Sequence, residues 1–254
     1  SQAAQSQSLS RTQQHENVGR LLQIACGKEH SLNLTRDGDV SSVGTGNMCA
    51  SGHGGSRGAD KPETLKPLRD KRVTAIACGE NHSLVLTDKG YLYAWGRGFE
   101  GQLGLSKEIE IASTPQFVKF FHGKNVTSIA CGSFYSLAVT DDGAMWGWGE
   151  ARMGQLGCDK HREIRTPQRI QFPQDSEGNQ PKIKSCSAGY GHTAALTDNG
   201  DLYTWGFNTY GQVGHGDKKT HWFPGTLDAV DAAAGTLGCC ALPSRPYFGA
   251  VRPW

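Results

Sequence analysis

Four pairs of glycines, each separated by the same seventeen residues, constrain this chain more than any other feature. They are Gly27 and Gly44, Gly79 and Gly96, Gly132 and Gly149, and Gly189 and Gly206. Eight residues after each pair comes another glycine, at Gly52, Gly104, Gly157 and Gly214. The segments so framed read IACGKEHSLNLTRDGDVSSVG, IACGENHSLVLTDKGYLYAWG, IACGSFYSLAVTDDGAMWGWG and CSAGYGHTAALTDNGDLYTWG. Spacing this rigid requires each copy to fold to the same backbone, so the chain is a repeat array.

Within a copy the pattern is that of a hairpin. Residues 83–87 (SLVLT) and 91–95 (YLYAW) are β-rich runs joined by Asp88-Lys89-Gly90, where glycine supplies the positive φ that a tight turn demands. The turn recurs as Asp37-Gly38, Asp141-Asp142-Gly143 and Asp198-Asn199-Gly200. A preceding strand over Val73 to Cys78 and a later one over Gln116 to Phe121 would bring each unit to four strands. Such a sheet cannot bury both faces alone, so successive units must stack face to face. The interval from the last glycine of one copy to the first of the next is not constant, and insertions there cost little. The longest insertion, Phe172 to Pro181 (FPQDSEGNQP), is expected to project.

These residues resemble the regulator-of-chromosome-condensation (RCC1-like) repeat family. The best-matched pieces are Cys78-Gly79-Glu80-Asn81-His82-Ser83, Tyr93-Ala94-Trp95-Gly96 and Gly101-Gln102-Leu103-Gly104, the last repeated at Gly154 to Gly157 and Gly211 to Gly214. The resemblance implies an all-β fold, a β-propeller of four-stranded blades, whose members usually carry seven. Here it spans residues 21–242 as repeats at about 21–72, 73–125, 126–182 and 183–229, with a partial copy at 230–242. Residues 1–20 read as a disordered Ser- and Gln-rich leader and 243–254 as a tail. A weaker reading takes the leader as the mature end left by an organelle transit peptide.

The first copy departs from the pattern. Val43 stands where the others have Trp95, Trp148 and Trp205, and Cys49-Ala50-Ser51-Gly52 replaces Gly-Gln-Leu-Gly. Four and a half blades make an incomplete ring with exposed sheet surfaces that call for cover. Three explanations stand: a shortened version of a longer chain, an open propeller covered by a partner chain, or pairing of two copies.

Single-residue chemistry is mostly absorbed by the repeat. Gly96 to Gly101 matches G-x-G-x-x-G, yet it lies between strands with no helix to follow, so phosphate binding is not expected. Cys26, Cys78 and Cys131 hold one repeat position, too far apart on neighbouring blades for disulfides, and no Cys-x-x-Cys pair exists. A metal site and a cofactor are therefore not expected. His30, His82 and His192 recur three residues after their glycines, with Tyr135 and Gly238 in the same slot. A catalytic histidine would be singular, so rings hydrogen-bonded between blades are expected instead. Ser31, Ser83, Ser136 and Thr193 recur likewise. The sequons at Asn33, Asn81 and Asn125 look coincidental. One class of the family senses ultraviolet light through Gly-Trp-Arg-His-Thr at this slot. The stretches GKEH, GENH, GSFY and GYGH lack that tryptophan and argue against photoreception.

With 26 Lys and Arg against 24 Asp and Glu there is no basic stripe, which disfavours direct nucleic-acid binding. No run of apolar residues is long enough for a membrane helix. The expected function is a non-enzymatic protein-interaction scaffold, a structural or accessory subunit of a larger intracellular assembly in a reducing compartment. Cytoplasm, nucleus and mitochondrion are left open. The alternative is guanine-nucleotide exchange on a small GTPase, for which the only candidate wedge is Gln171 to Lys182. Partner contacts are expected from Trp222 and Phe223, because aromatic anchors dominate interfaces, and from Asp175 and Glu177 on the insertion.

Overall fold

A computed structural model describes residues 20–159 and 162–227. The partial fifth copy, the tail and all but the last residue of the leader lie outside the described residues. Among the described residues sixteen strands form four separate four-stranded sheets, each an antiparallel meander in chain order. The first holds β1 (Leu21–Cys26), β2 (His30–Thr35), β3 (Val40–Gly44) and β4 (Ala59–Thr64). The second holds β5 (Val73–Cys78), β6 (His82–Thr87), β7 (Leu92–Arg97) and β8 (Ile111–Phe117). The third holds β9 (Val126–Cys131), β10 (Tyr135–Thr140), β11 (Met145–Gly149) and β12 (Ile164–Arg169). The fourth holds β13 (Ile183–Ala188), β14 (His192–Thr197), β15 (Leu202–Gly206) and β16 (His221–Leu227). Among the described residues no sheet closes on itself, and the four sheets form an open array of propeller blades.

The central pair of each sheet keeps one register. His82 faces Gly96 and Leu86 faces Leu92, as His30 faces Gly44 and Leu34 faces Val40. Between them these strands supply the core, which sits in the seams between sheets: Leu32, Leu84, Leu92, Trp95, Phe121 and Trp148 are all completely buried. Both faces of an inner blade are covered, which explains why β6 and β10 are buried along their whole length instead of alternating.

The fourth strand differs from the expectation. It runs Ile111–Phe117, not Gln116 to Phe121, and Lys119–Phe121 is a single 3-10 turn. The turn drops Phe121 into the seam beside Trp148, with ring centroids 5.6 Å apart, a position an extended edge strand would not reach. Each outermost strand carries a proline, Pro62, Pro115, Pro167 or Pro224, which removes a donor where an edge would otherwise invite pairing.

Every seam is clamped at both ends by main-chain bonds. At one end Lys28 N donates to Glu80 O (3.1 Å), Glu80 N to Ser133 O (3.0 Å) and Ser133 N to Tyr190 O (3.4 Å). At the other, Val73 N, Val126 N and Ile183 N donate to the turn carbonyls of Gly38, Gly90 and Gly143. The first end, which carries the turns between the first two strands and the long loops between the last two, is called the loop face below. The opposite end is the turn face.

Candidate protein-interaction face

His30, His82, Ser83, Ser136, Trp95, Trp148 and Trp205 are consumed in the seams, whereas Ser31 donates to Cys26 Sγ of its own sheet at 3.7 Å. His30 Nε2 lies 2.9 Å from Ser83 Oγ, and His82 Nε2 lies 2.9 Å from Ser136 Oγ. In the third sheet Tyr135 takes the histidine's place, and its hydroxyl donates to the main-chain oxygen of His192. Trp95, Trp148 and Trp205 donate through Nε1 to the loop carbonyls of Ala50 (2.9 Å), Gln102 (2.8 Å) and Gln155 (3.1 Å) of the preceding sheet. Ser136 and Thr193 donate to the same carbonyls of Gln102 and Gln155, each at 2.7 Å. Burial lowers the His30 imidazole to about 4 and, helped by the charge of His30, the His82 imidazole to about 3. Neutral rings in a dry seam are struts. At neutral pH they hold no second proton to give up, and burial makes them weak bases.

The cysteines behave the same way. Cys26, Cys49, Cys78, Cys131, Cys158 and Cys186 are free thiols, and burial pushes Cys78 and Cys186 up to about 12, far from the reactive thiolate range. Among the described residues no three His, Cys, Asp or Glu side chains converge as a metal site would need.

At the loop face, positions of fixed spacing change their occupants from copy to copy. The residue after the closing glycine is Thr45 in the first sheet, Arg97 in the second, Glu150 in the third and Phe207 in the fourth. All four occupy one backbone position, because their amides donate to the equivalent carbonyls of Glu29, Asn81, Phe134 and Gly191. Arg97 lies between two aromatic rings, 5.1 Å from the centroid of Phe99 and 5.0 Å from that of Phe134 on the next sheet. It also pairs with Glu100 at 2.7 Å. Nearby, Arg152 pairs with Glu163 at 2.9 Å, and Lys28 with Glu80 at 3.0 Å. On the fourth sheet the character turns aromatic: Phe207 meets Tyr210 edge-on at 6.2 Å, and Tyr210 is 76% exposed. Tyr190 is exposed on the same face. Sequence reading passed over these residues because it followed the positions that recur. The signal that finds them is the opposite one: slots of fixed spacing whose occupants change.

The four residues expected to contact a partner do not come together. Asp175 and Glu177 sit on the insertion at the turn face. Trp222 and Phe223 begin β16 at the loop-face end, next to His221, which pairs with Gly206. Trp222 is half-buried and packs its main chain and ring against Gly154 of the third sheet, so it fills a seam, whereas Phe223 is 59% exposed. The insertion is folded on itself. Gln180 exchanges two bonds with the Phe172 main chain, at 2.9 Å each, and Asp175 accepts from the amides of Glu177 (2.9 Å) and Asn179 (2.8 Å). Phe172 anchors its base against Tyr203 and Trp205. Between the insertion and the Asp198–Gly200 turn lies a groove of about 480 Å³, lined by Asp175, Asn179, Lys182, Asp198, Asp201 and Tyr203 among others.

Comparison with known proteins agrees with the blade geometry. A family description, the RCC1-like domain, matches residues 2–244. The chain belongs to the RCC1-like domain family. It is 35% identical over 212 residues to the Arabidopsis thaliana ultraviolet-B receptor UVR8, covering 83% of this chain and 47% of the receptor. It is 34% identical to the human E3 ubiquitin-protein ligase HERC2 over 223 residues, 87% of this chain but 4% of the ligase. Among solved structures, human WBSCR16 superposes with a TM-score of 0.76 at 28% identity, over 83% of this chain and 53% of that one. Yeast RCC1 (Prp20), solved bound to Kap60, superposes with a TM-score of 0.69 at 24% identity, over 83% and 50%, which speaks to the fold alone. This RCC1-like chain thus spans about half the length of UVR8 and of these solved neighbours, and a small fraction of HERC2. Its fold is that of a protein-binding propeller. Among the described residues no helix is long and apolar enough to cross a membrane.

Proposed function

We propose that this chain is a non-enzymatic protein-interaction scaffold, an accessory or structural subunit of a larger intracellular assembly, and that it meets its partner with the loop face. The observation that carries the reading is Tyr210, a large aromatic side chain 76% exposed beside Phe207, on a face whose residues differ from copy to copy. Aromatic anchors flanked by charged pairs are the composition of an interface hot spot. The recurrent groups that could have served as nucleophile or base are instead held neutral or spent as donors in the seams. Phe223, exposed at the loop-face end of β16, extends the same surface.

The deciding experiment is the native mass of the full chain in gentle extract, with co-eluting proteins identified and the measurement repeated on Tyr210→Ala. Elution in a defined complex that the substitution loosens supports the reading. Elution alone at 27.4 kDa overturns it.

A second reading, nucleotide exchange on a small GTPase, draws on the insertion, which leaves Asp175 and Glu177 exposed beside the turn-face groove. The yeast neighbour Prp20p has been studied for its binding to Gsp1p and histones. Accelerated release of labelled GDP from a panel of small GTPases supports exchange, and unchanged release removes it.

A further inference from the structure

We propose that the open face of the fourth sheet is covered by the first sheet of a second copy of this chain, so that two four-sheet arrays pair head to tail. The inference stands apart from the loop-face reading, because it uses the two ends of the array.

Every seam joins the forward surface of one sheet to the rear surface of the next. On the forward surfaces of the first three sheets Leu34 faces Val40, Leu86 faces Leu92 and Val139 faces Met145, and all six are buried. Leu196 and Leu202 form the same pair on the fourth sheet, yet Leu196 is 37% exposed. On the rear surface of the second sheet Ile76 is 2% exposed, whereas its counterpart on the first sheet, Ile24, is 58% exposed. The array therefore begins with an uncovered rear surface and ends in an uncovered forward one, each apolar in part.

The polar groups of a seam are present in the same two halves. In the inner seams the amides of Glu80 and Ser133 donate to the next sheet, and the carbonyls of Gly38, Gly90 and Gly143 accept from it. Ser83 and Ser136 meet a histidine of the sheet before and donate to its Ala50 and Gln102 carbonyls. The fourth sheet repeats the forward set at the same spacing, with Tyr190, Gly200, His192 and Gln212. Among the described residues the Tyr190 amide and the Gly200 and Gln212 carbonyls bond to no other group. The first sheet carries the rear set: the Lys28 carbonyl, the Leu21 amide and the Ser31 hydroxyl. In the pair, Ser31 of the second copy sits between His192 and the Gln212 carbonyl, as Ser136 sits between His82 and that of Gln102. Only the indole is missing, for Val43 stands where Trp95 stands, and Asn33 replaces Val85. A smaller, more polar rear surface suits halves that also exist apart in water.

The chain's own next repeat cannot take this place in register. Leu65, Val118 and Ile170 close the outermost strands, and the next innermost strand starts eight, eight and thirteen positions later, at Val73, Val126 and Ile183. Leu227 holds the equivalent place, and the spacing from Gly235 puts the next start at Ala229, two positions on. Two positions reach about 7 Å, and the innermost strand lies three strand spacings, about 14 Å, away. A second copy has no such tether, and two four-sheet arrays give eight sheets, within the range of propellers.

Sedimentation of the full chain at micromolar concentrations tests the pairing, with Ile24→Glu altering the rear surface and Leu196→Glu the forward one. An unchanged near-ultraviolet circular dichroism spectrum shows that each variant folds, and Ile24→Gln and Leu196→Gln replace any that does not. The native chain is expected at twice 27.4 kDa, and each variant to pair about tenfold or more weakly. An equimolar mixture of the two variants recovers pairing, because one of its two seams is free of both substitutions. Tyr210→Ala leaves the mass unchanged, which separates this test from that of the loop face. A monomer at every concentration overturns the proposal. So does a dimer that survives either substitution, one that the mixture fails to restore, or one that Tyr210→Ala dissolves.

Discussion

His82 Nε2 lies 2.9 Å from Ser136 Oγ across the seam between the second and third sheets. Ser136 spends its own proton on the Gln102 carbonyl at 2.7 Å, so the imidazole must be the donor to Ser136 and its Nε2 carries the hydrogen. The same carbonyl also accepts from Trp148 Nε1. One main-chain oxygen, one hydroxyl, one indole and one imidazole thus lock this seam as a unit; the unit recurs between the first and second sheets, and between the third and fourth the Tyr135 phenol replaces the imidazole.

Removing the imidazole tests this lock. His82 is completely buried with its ring seated on Gly79, so His82→Ala leaves a cavity and costs Ser136 a partner. A loss of about 2–4 kcal/mol is expected. It should appear as a lower urea midpoint with an unchanged slope.

Acid should weaken the fold through the same rings. His30 and His82 are held neutral in the folded state, at about 4 and about 3, against about 6.5 in the unfolded chain. Above about pH 6.5 neither state binds the proton and the rings add no pH dependence. As pH falls from there, the unfolded chain is protonated first, and stability is lost until the folded rings titrate near pH 4 and 3. By pH 4.5 the loss is on the order of 2–3 kcal/mol per ring. Urea midpoints at pH 7.5, 6.5, 5.5 and 4.5 read it out, and a flat profile would show that the rings are solvated.

Gly104 sits at φ +63° with its missing Cβ 2.8 Å from Trp148 Nε1. Gly104→Ala is therefore expected to displace the indole from the Gln102 carbonyl and to cost about 2–4 kcal/mol. Gly55, with nothing within 4 Å and an ordinary φ, is the matched control, and Gly55→Ala should change stability by less than about 0.5 kcal/mol. Near-equal midpoints for the two variants would mean that the indole is not clamped.

Tyr210→Ala and Phe223→Ala separate binding from folding. Both side chains are mostly exposed, so thermal and urea midpoints should move by no more than about 0.5 kcal/mol. Partner retention on size exclusion should fall all the same. A large drop in midpoint instead would make these residues packing elements.

Much of the architecture was legible because the repeat writes it four times. The strands Val73 to Cys78 and 83–87 fall within observed strands, 91–95 matches β7 except for Tyr91, and the inter-blade role of His30 and His82 follows from their recurrence alone. The fourth strand was misplaced by several residues. Its position is set by the seam it must reach, where Phe121 turns in under Trp148, and no local pattern shows that. The first copy looked degenerate at Cys49-Ala50-Ser51-Gly52, yet Ala50 accepts from Trp95 as Gln102 does from Trp148. The bond uses a main-chain oxygen, so the side chain can change while the contact persists. Cys49, at φ +61°, takes up the left-handed backbone that Gly101, Gly154 and Gly211 supply in the other copies.

By itself the sequence determined the all-β repeat, the family resemblance and which residues recur, because periodic spacing forces periodic backbone. Tertiary structure alone decided which variable residues meet. Arg97 finds Phe134 thirty-seven positions away, because stacking sheets places the end of one repeat against the start of the next. It also placed Asp175 and Glu177 at the opposite end of the sheets from Trp222 and Phe223. Antiparallel strands carry residues close in sequence to opposite faces, a distance that linear spacing cannot express.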